Sequence, residues 1–171
     1  MQPEHYIKLV ADLLVNDGNQ VVPAELPNFG VKIGYQKMQF GTLFATTLHL
    51  FTVVVVVSEL NASTYDTIVS QSINYILKNN ATLLGFRKKI AVTPIIAAQA
   101  VDTETEGIAC AMPNSKYTVI TSPVIVDITN VQTYTYGGKV KNGKKYINWI
   151  RERLSASLPV IQKQPVNPEE F

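Results

Sequence analysis

Five consecutive valines, Val53–Val57, close a 15-residue apolar stretch that begins at Leu43. Side chains branched at Cβ crowd a helix but fit a pleated surface, so the run predicts a strand. No polar residue alternates within it, which suits a strand buried on both faces. The stretch also carries Thr46, Thr47, His49 and Thr52, and it is shorter than the roughly 20 apolar residues a membrane helix needs. We read it as a central strand and expect no membrane association.

The rest of the composition agrees. Val, Ile and Thr number 20, 15 and 15 of 171 residues, while charged residues make up only 16%, against about 25% in an average domain. Disorder, a coiled coil and a helical bundle are excluded. The length suits one domain, expected over residues 1–158, followed by an extended proline-containing tail at 159–171. Cys110 is the only cysteine, which excludes an intrachain disulfide and a cysteine-based zinc site. The first residues lack the basic and apolar regions of a secretory leader, so a cytoplasmic protein is expected. The sequons at Asn61 and Asn80 are then simply residues that flank a helix.

Hydrophobic spacing predicts helices over 3–15, 63–78 and 144–157. Ser63-Thr64-Tyr65-Asp66 resembles a capping box with Asp in place of Glu. Strands are predicted at 30–37, 44–57, 89–101, 108–112, 117–120, 124–128 and 131–136, with Thr129-Asn130 as a two-residue hairpin turn. Residues 19–29, with Pro23 and Pro27, read as a loop. Pro94 argues that its strand lies at an edge or carries a bulge, and 102–107 reads as an acidic turn that keeps an edge from pairing.

The expected fold is therefore α+β, a single mixed or antiparallel sheet of about five or six strands with three helices in the order α-β-β-α-β-β-β-β-α. This order resembles the profilin-like sandwiches, including the roadblock and longin modules. The resemblance is one of topology and implies a dimerising scaffold.

Candidate chemistry is sparse. Gly138-Lys139-Val140-Lys141-Asn142-Gly143-Lys144-Lys145 has the glycines and lysine of a phosphate-binding loop, but Lys145 stands where Ser or Thr would hold magnesium. No parallel strand follows it, so a nucleotide hydrolase is not expected. The segment 139–153 nevertheless holds six Lys/Arg against one acid, Glu152, and a second basic run is Arg87-Lys88-Lys89. Lysines at a helix start, where free backbone N–H groups favour anions, suit a phosphate or a nucleic-acid backbone, with Tyr134, Tyr136 and Tyr146 nearby for stacking. The sequence pI of about 8.6 is modest beside the value above ~9 of a typical nucleic-acid module.

His5 and His49 are the only histidines, and His49 alternates with Thr47 and Phe51 on one strand face, which suits a hydrogen-bonded core or interface histidine. Cys110 sits between alanines and reads as inert. Asp127 interrupts Val124–Ile128 and is the least implausible acid for an enzyme, on the face opposite Val126. Asp102, Glu104 and Glu106 lack the glycine and distal glutamate of a calcium loop. No metal site and no cofactor is expected, and an enzyme is less expected than a binding protein.

Three functional classes follow. The first is a non-catalytic interaction module that self-associates, as a dimer, because a sparsely charged surface tends to be covered. The second is an anion- or nucleic-acid-binding protein using Arg87, Lys88, Lys89, Lys139, Lys141, Lys144 and Lys145. The third is an enzyme of unidentified type.

Overall fold

The valine run occupies the middle of the longest strand, β3 (Thr46–Leu60), and lies in the centre of an open mixed sheet. The computed structural model describes residues 3–42, 45–112, 115–116, 119–139 and 143–158; the expected tail lies outside them. On one side β3 pairs antiparallel with β2 (Phe29–Phe40), which pairs antiparallel with β1 (Gln20–Leu26). On its other side β3 pairs in parallel with β4 (Lys88–Val101), from Thr47 opposite Lys88 to Leu60 opposite Val101. Beyond β4 come β6 (Val119–Thr121), with the two-residue β5 (Ser115–Lys116), and β7 (Val124–Asp127), which pairs with β8 (Gln132–Tyr134).

Among the described residues four α-helices cover this sheet, one more than expected. α2 (Ala62–Asn79) and α3 (Thr103–Cys110) pack on one face, and α1 (Pro3–Asn16) and α4 (Lys144–Ser157) on the other. Val54 belongs to the α1/α4 layer, Val53 and Val55 to the α2/α3 layer, and all three are fully buried. The low charge of the chain is thus explained by β3 and β4 being covered on both faces. The expected order had one helix and at least one strand fewer than the structure; the long central pair is parallel and both faces carry helices.

Several expectations are corrected. Residues 20–26 are a strand, not a loop. Pro27 and Asn28, the latter at φ 71°, form the two-residue link between Leu26 and its partner Phe29; proline first and a positive-φ residue second are what a type II turn requires. Pro23 is tolerated because β1 is an edge strand. Pro94, by contrast, is central. β6 and β7 meet β4 in the same register on either side of it, through Val92 opposite Thr121 and Ile95 opposite Val124. The Ser122 amide donates to Val92 O at 3.2 Å and the Ile128 amide to Ala98 O at 2.9 Å. Even-numbered β4 residues therefore bond toward this neighbour, and the N–H that Pro94 lacks is the one that would reach Ser122. One missing donor splits a single strand into β6 and β7 while pairing with β3 runs unbroken.

The acidic turn and the strand expected at 108–112 are instead α3. The Asp102 carboxylate accepts the Thr105 amide at 2.7 Å, and Glu104 and Glu106 stand in the first turn, where the helix dipole favours acids. In α2 the cap is Asn61, whose Oδ1 accepts the Thr64 amide at 2.9 Å, not Ser63; Asn80 closes the other end, donating to Ile76 O at 3.0 Å. Finally, β7 and β8 are joined by residues 128–131 rather than by two residues, because Asp127 holds the turn. Its Oδ1 accepts the amides of Thr129 at 2.9 Å and Asn130 at 2.8 Å, and its Oδ2 accepts Asn130 Nδ2 at 2.8 Å.

That turn ends on Val131 at φ 56° with half its surface exposed. A left-handed backbone costs an L-residue about 1–2 kcal/mol, and a β-branched one is the least suited. Val131→Gly is therefore expected to raise stability by about 1 kcal/mol, read as a higher urea midpoint at unchanged slope. A lower midpoint would show that Val131 packs more than its exposure implies.

Candidate functional site

The amino ends of β3 and β4, the carboxyl end of β2 and the first turn of α4 meet at one edge of the sheet. Alternation along β4 sends its first two lysines to opposite faces. Lys89 shares the face of Ala91 and Ile95, under α4, and Lys88 shares the face of Ile90 and Val92, beside α2.

On the α4 side the ring of Phe40, last residue of β2, meets Tyr146 edge-on at 5.0 Å and Trp149 edge-on at 6.1 Å. These rings fix the first turn of α4 to the sheet. Tyr146 is buried, and two ammonium groups approach its ring, Lys89 Nζ at 5.7 Å and Lys145 Nζ at 5.0 Å. Lys145 Nζ also lies 5.7 Å from the Phe40 ring. Each contact is attractive at the order of 0.5–1 kcal/mol, but holding two cations against one small ring also sets like charges close together. The two basic runs, more than fifty residues apart in sequence, thus converge.

On the α2 side the register places Lys37 opposite His49. His49 is buried, its ring stacked on Tyr35 at 6.0 Å, and Nδ1 shares a hydrogen bond of 2.9 Å with the Tyr35 hydroxyl. Among the described residues Nε2 is buried with no hydrogen-bond partner. Desolvation, then the charges of Lys88 and Lys37, hold this histidine below its usual pKa. It is the hydrogen-bonded core histidine that the strand pattern suggests.

Between the two faces, Gly85 to Lys88 form a tight turn closed by the Lys88 amide on Gly85 O at 3.1 Å, and Arg87 O accepts the Thr47 amide at 2.9 Å. Arg87 has a left-handed backbone, φ 59°, and Phe86 is 85% exposed with the Arg87 guanidinium 4.7 Å from its ring centre. Neither residue is one that a turn selects for its backbone.

The expected site residues are therefore brought together in part. Arg87, Lys88, Lys89, Lys144 and Lys145 share the edge, where all but the half-buried Lys89 are exposed. Lys139 is exposed in the loop before α4, and Lys141 lies outside the described residues. Among the described residues Lys144 and Lys145 form no salt bridge, whereas Arg153 pairs with Asp17 at 2.8 Å. Arg151 donates to the carbonyls of Tyr136 at 2.9 Å and Gly138 at 2.8 Å. Arg151 thus takes up those two carbonyls, and the segment follows an antiparallel strand, β8, not the parallel strand of a nucleotide-binding sheet; residues 140–142 of the expected loop lie outside the described residues.

The expected stacking tyrosines are also corrected. Tyr146 is buried; the Tyr136 hydroxyl donates to Lys139 O at 3.0 Å; Tyr134 packs in the opposite layer, donating to Gln132 Oε1 at 2.7 Å. Burial, then Glu106, pushes the Tyr134 hydroxyl up to about 12. Phe86 is the aromatic that sequence reading missed, although it directly precedes Arg87-Lys88-Lys89.

The remaining candidates are occupied structurally. Asp127 is buried rather than solvent-facing, with both oxygens bonded within its own turn. Burial pushes the Cys110 thiol above its usual range. Among the described residues no three His, Cys, Asp or Glu side chains gather as a metal site, and no helix is long and apolar enough to cross a membrane. No known protein family, curated protein or solved structure matches the chain.

The His49 environment yields a pH prediction. The unfolded chain takes up a proton near the ordinary histidine value, about 6.5, whereas folded His49 resists it to lower pH. Stability contributed by keeping His49 neutral is complete above that value and is lost as pH falls through it, at no more than about 1.4 kcal/mol per pH unit for one proton. Urea midpoints are expected to fall from pH 7 to pH 5, and His49→Gln is expected to flatten that fall. An equal slope in the variant would remove His49 as its source.

Proposed function

We propose that the protein binds a phosphate-bearing polyanion at this edge. The observation that carries the proposal is the convergence of Lys89 and Lys145 on the Tyr146 ring, with Arg87, Lys88 and Lys144 at the same edge. Lysines gathered against their mutual repulsion are stabilised when an anion spreads across them, and the free N–H groups of the first turn of α4 add to the field. No metal and no covalent step is needed.

Charge elsewhere in the sheet supports the same reading. Glu59, Asp102, Glu104 and Asp127 stand at the carboxyl ends of β3, β4 and β7 or just beyond them. Lys78, in the last turn of α2, returns to the basic end. The long axis of the strands therefore runs from acidic to basic, which orients an approaching polyanion before contact. Self-association had its motive in the low charge of the chain, and the doubly covered sheet already accounts for that.

Competition by inorganic polyphosphate, followed by isothermal titration at several salt concentrations, tests the proposal. Affinity is expected to fall linearly on a log–log salt plot. Lys144→Glu with Lys145→Glu is expected to weaken binding at least about ten-fold, with a shallower salt slope, while Lys8→Glu, in α1, leaves it unchanged. Both edge lysines are exposed, so melting should be unaffected. Wild-type affinity in the double variant would overturn the proposal.

A second variant separates binding from stability. Arg87→Gly relieves the left-handed backbone, worth about 1 kcal/mol, and removes a cation from the edge. Equal or higher thermal stability with several-fold weaker polyphosphate binding is expected. A loss of stability would mean that the Arg87 side chain holds the turn.

A further inference from the structure

We infer that the polyanion is a single-stranded nucleic acid whose bases stack on Phe86; this rests on the anion-binding reading above and adds the part of the ligand that is not phosphate. Phe86 is 85% exposed, more than any other large apolar side chain among the described residues. It lies within the Gly85–Lys88 turn, immediately before β4 and the basic run Arg87-Lys88-Lys89. Left in water, a whole phenyl ring forgoes the roughly 1.5–3 kcal/mol that burial would return. The turn that displays it is held at a further cost, since Arg87 adopts φ 59° where glycine or asparagine would sit without strain. Exposed aromatic and strained cation are adjacent, and the guanidinium already lies 4.7 Å from the ring centre.

This pairing has the chemistry of a base platform. A nucleobase stacks on a ring or on a guanidinium plane, and the phosphates on either side of it need cations a few ångströms away. Here Lys88 and Lys89 follow directly on the two faces of the sheet, and Lys144 and Lys145 continue the track along the start of α4. A duplex keeps its bases paired and stacked inside, so it would use the lysines but not Phe86. A polyphosphate would do the same. An anionic membrane would use both, but among the described residues the exposed large apolar side chains at this end of the sheet are Phe86, Met38 at 42% and Leu84 at 36%, a small apolar area for stable insertion.

Fluorescence anisotropy with a labelled oligo-dT of about ten nucleotides tests the inference, beside polyphosphate competition, a blunt duplex carrying the same number of phosphates, and vesicles containing phosphatidylserine. Wild type is expected to prefer oligo-dT to the duplex. Phe86→Ala is expected to weaken oligo-dT binding at least about five-fold while leaving polyphosphate affinity and the salt slope unchanged. Phe86→Trp should restore oligo-dT binding, with quenching of a tryptophan emission that the vesicles leave unchanged. Equal affinity for duplex and oligo-dT, loss of both ligands in Phe86→Ala, no loss of either, or Phe86-dependent vesicle binding would each overturn the stacking inference and leave the anion reading intact. Failure of wild type to bind any of the phosphate ligands would overturn both.

Discussion

Parallel pairing of β3 with β4 is the constraint from which the remaining architecture follows. β3 carries Leu, Phe and Val and β4 carries Ile, Val and Ala on both sides, and every residue from Leu48 to Val55 is buried. A sheet core of this kind loses its stabilisation if either face meets water, so each face requires its own helical layer. A parallel partner also cannot be reached by a tight turn. The chain must cross back over one face, and α2 is that crossover. The opposite face is then left for the helices at the two ends of the described chain, α1 and α4, which must pack against each other as well as the sheet. The Arg153–Asp17 pair joins α4 to the end of α1.

The same constraint decides where polar chemistry can sit. With both faces of the central strands filled, ionisable groups are confined to strand ends, turns and helix termini. Asp102, Glu104 and Glu106 serve as cap and first turn of α3, Asp127 folds its own loop, and Arg151 and Arg153 tie α4 to its surroundings. Further cations are concentrated at the opposite end of the strands, at Arg87 to Lys89 and at Lys144 and Lys145. In parallel α/β sheets ligands commonly lie beyond the carboxyl ends of the strands. Here that end is acidic and closed by capped helices, and the amino end carries the cations.

Long periodic segments were legible because burial acts on them directly: α1, α2, α4, β3 and the β4 span all follow from apolar spacing. The errors arose where one backbone atom outweighs side-chain pattern. Pro23 and Pro27 suppressed β1 in the reading, yet an edge strand needs only half its N–H groups, and Pro27-Asn28 is itself a turn signal. Pro94 suggests an edge or a bulge because proline cannot donate to a ladder, whereas each residue of a central strand bonds to one neighbour only, so a single lost donor leaves the pairing with β3 intact. Asp102-Thr103-Glu104-Thr105-Glu106 was read by its charge, when Asp followed by two acids in the next turn is also the start of a helix. In the site, the cations were legible as residues, but their convergence depends on β4 beginning where α4 begins, a long-range packing relation that no local spacing encodes.

Phe86 and Arg87 show why the edge is more than the place where leftover charge accumulates. A solvated basic face needs neither an exposed phenyl ring nor a left-handed arginine; Gly85-Asn-Gly or a similar turn would join the 3₁₀ turn at Ala81–Leu83 to β4 at lower free energy. Local strain persists only when the surrounding structure over-determines it, and here the Thr47 amide on Arg87 O and the Lys88 amide on Gly85 O hold the turn on both sides. Those bonds fix the backbone without using either side chain. The turn is thus held where it joins the sheet while its tip is exposed, an arrangement that presents the Phe86 ring, with the Arg87 guanidinium beside it, in a fixed relation to the lysines behind them. Rigid presentation lowers the entropy lost on binding, which is the physical advantage that a looser, glycine-rich turn at this position would lack.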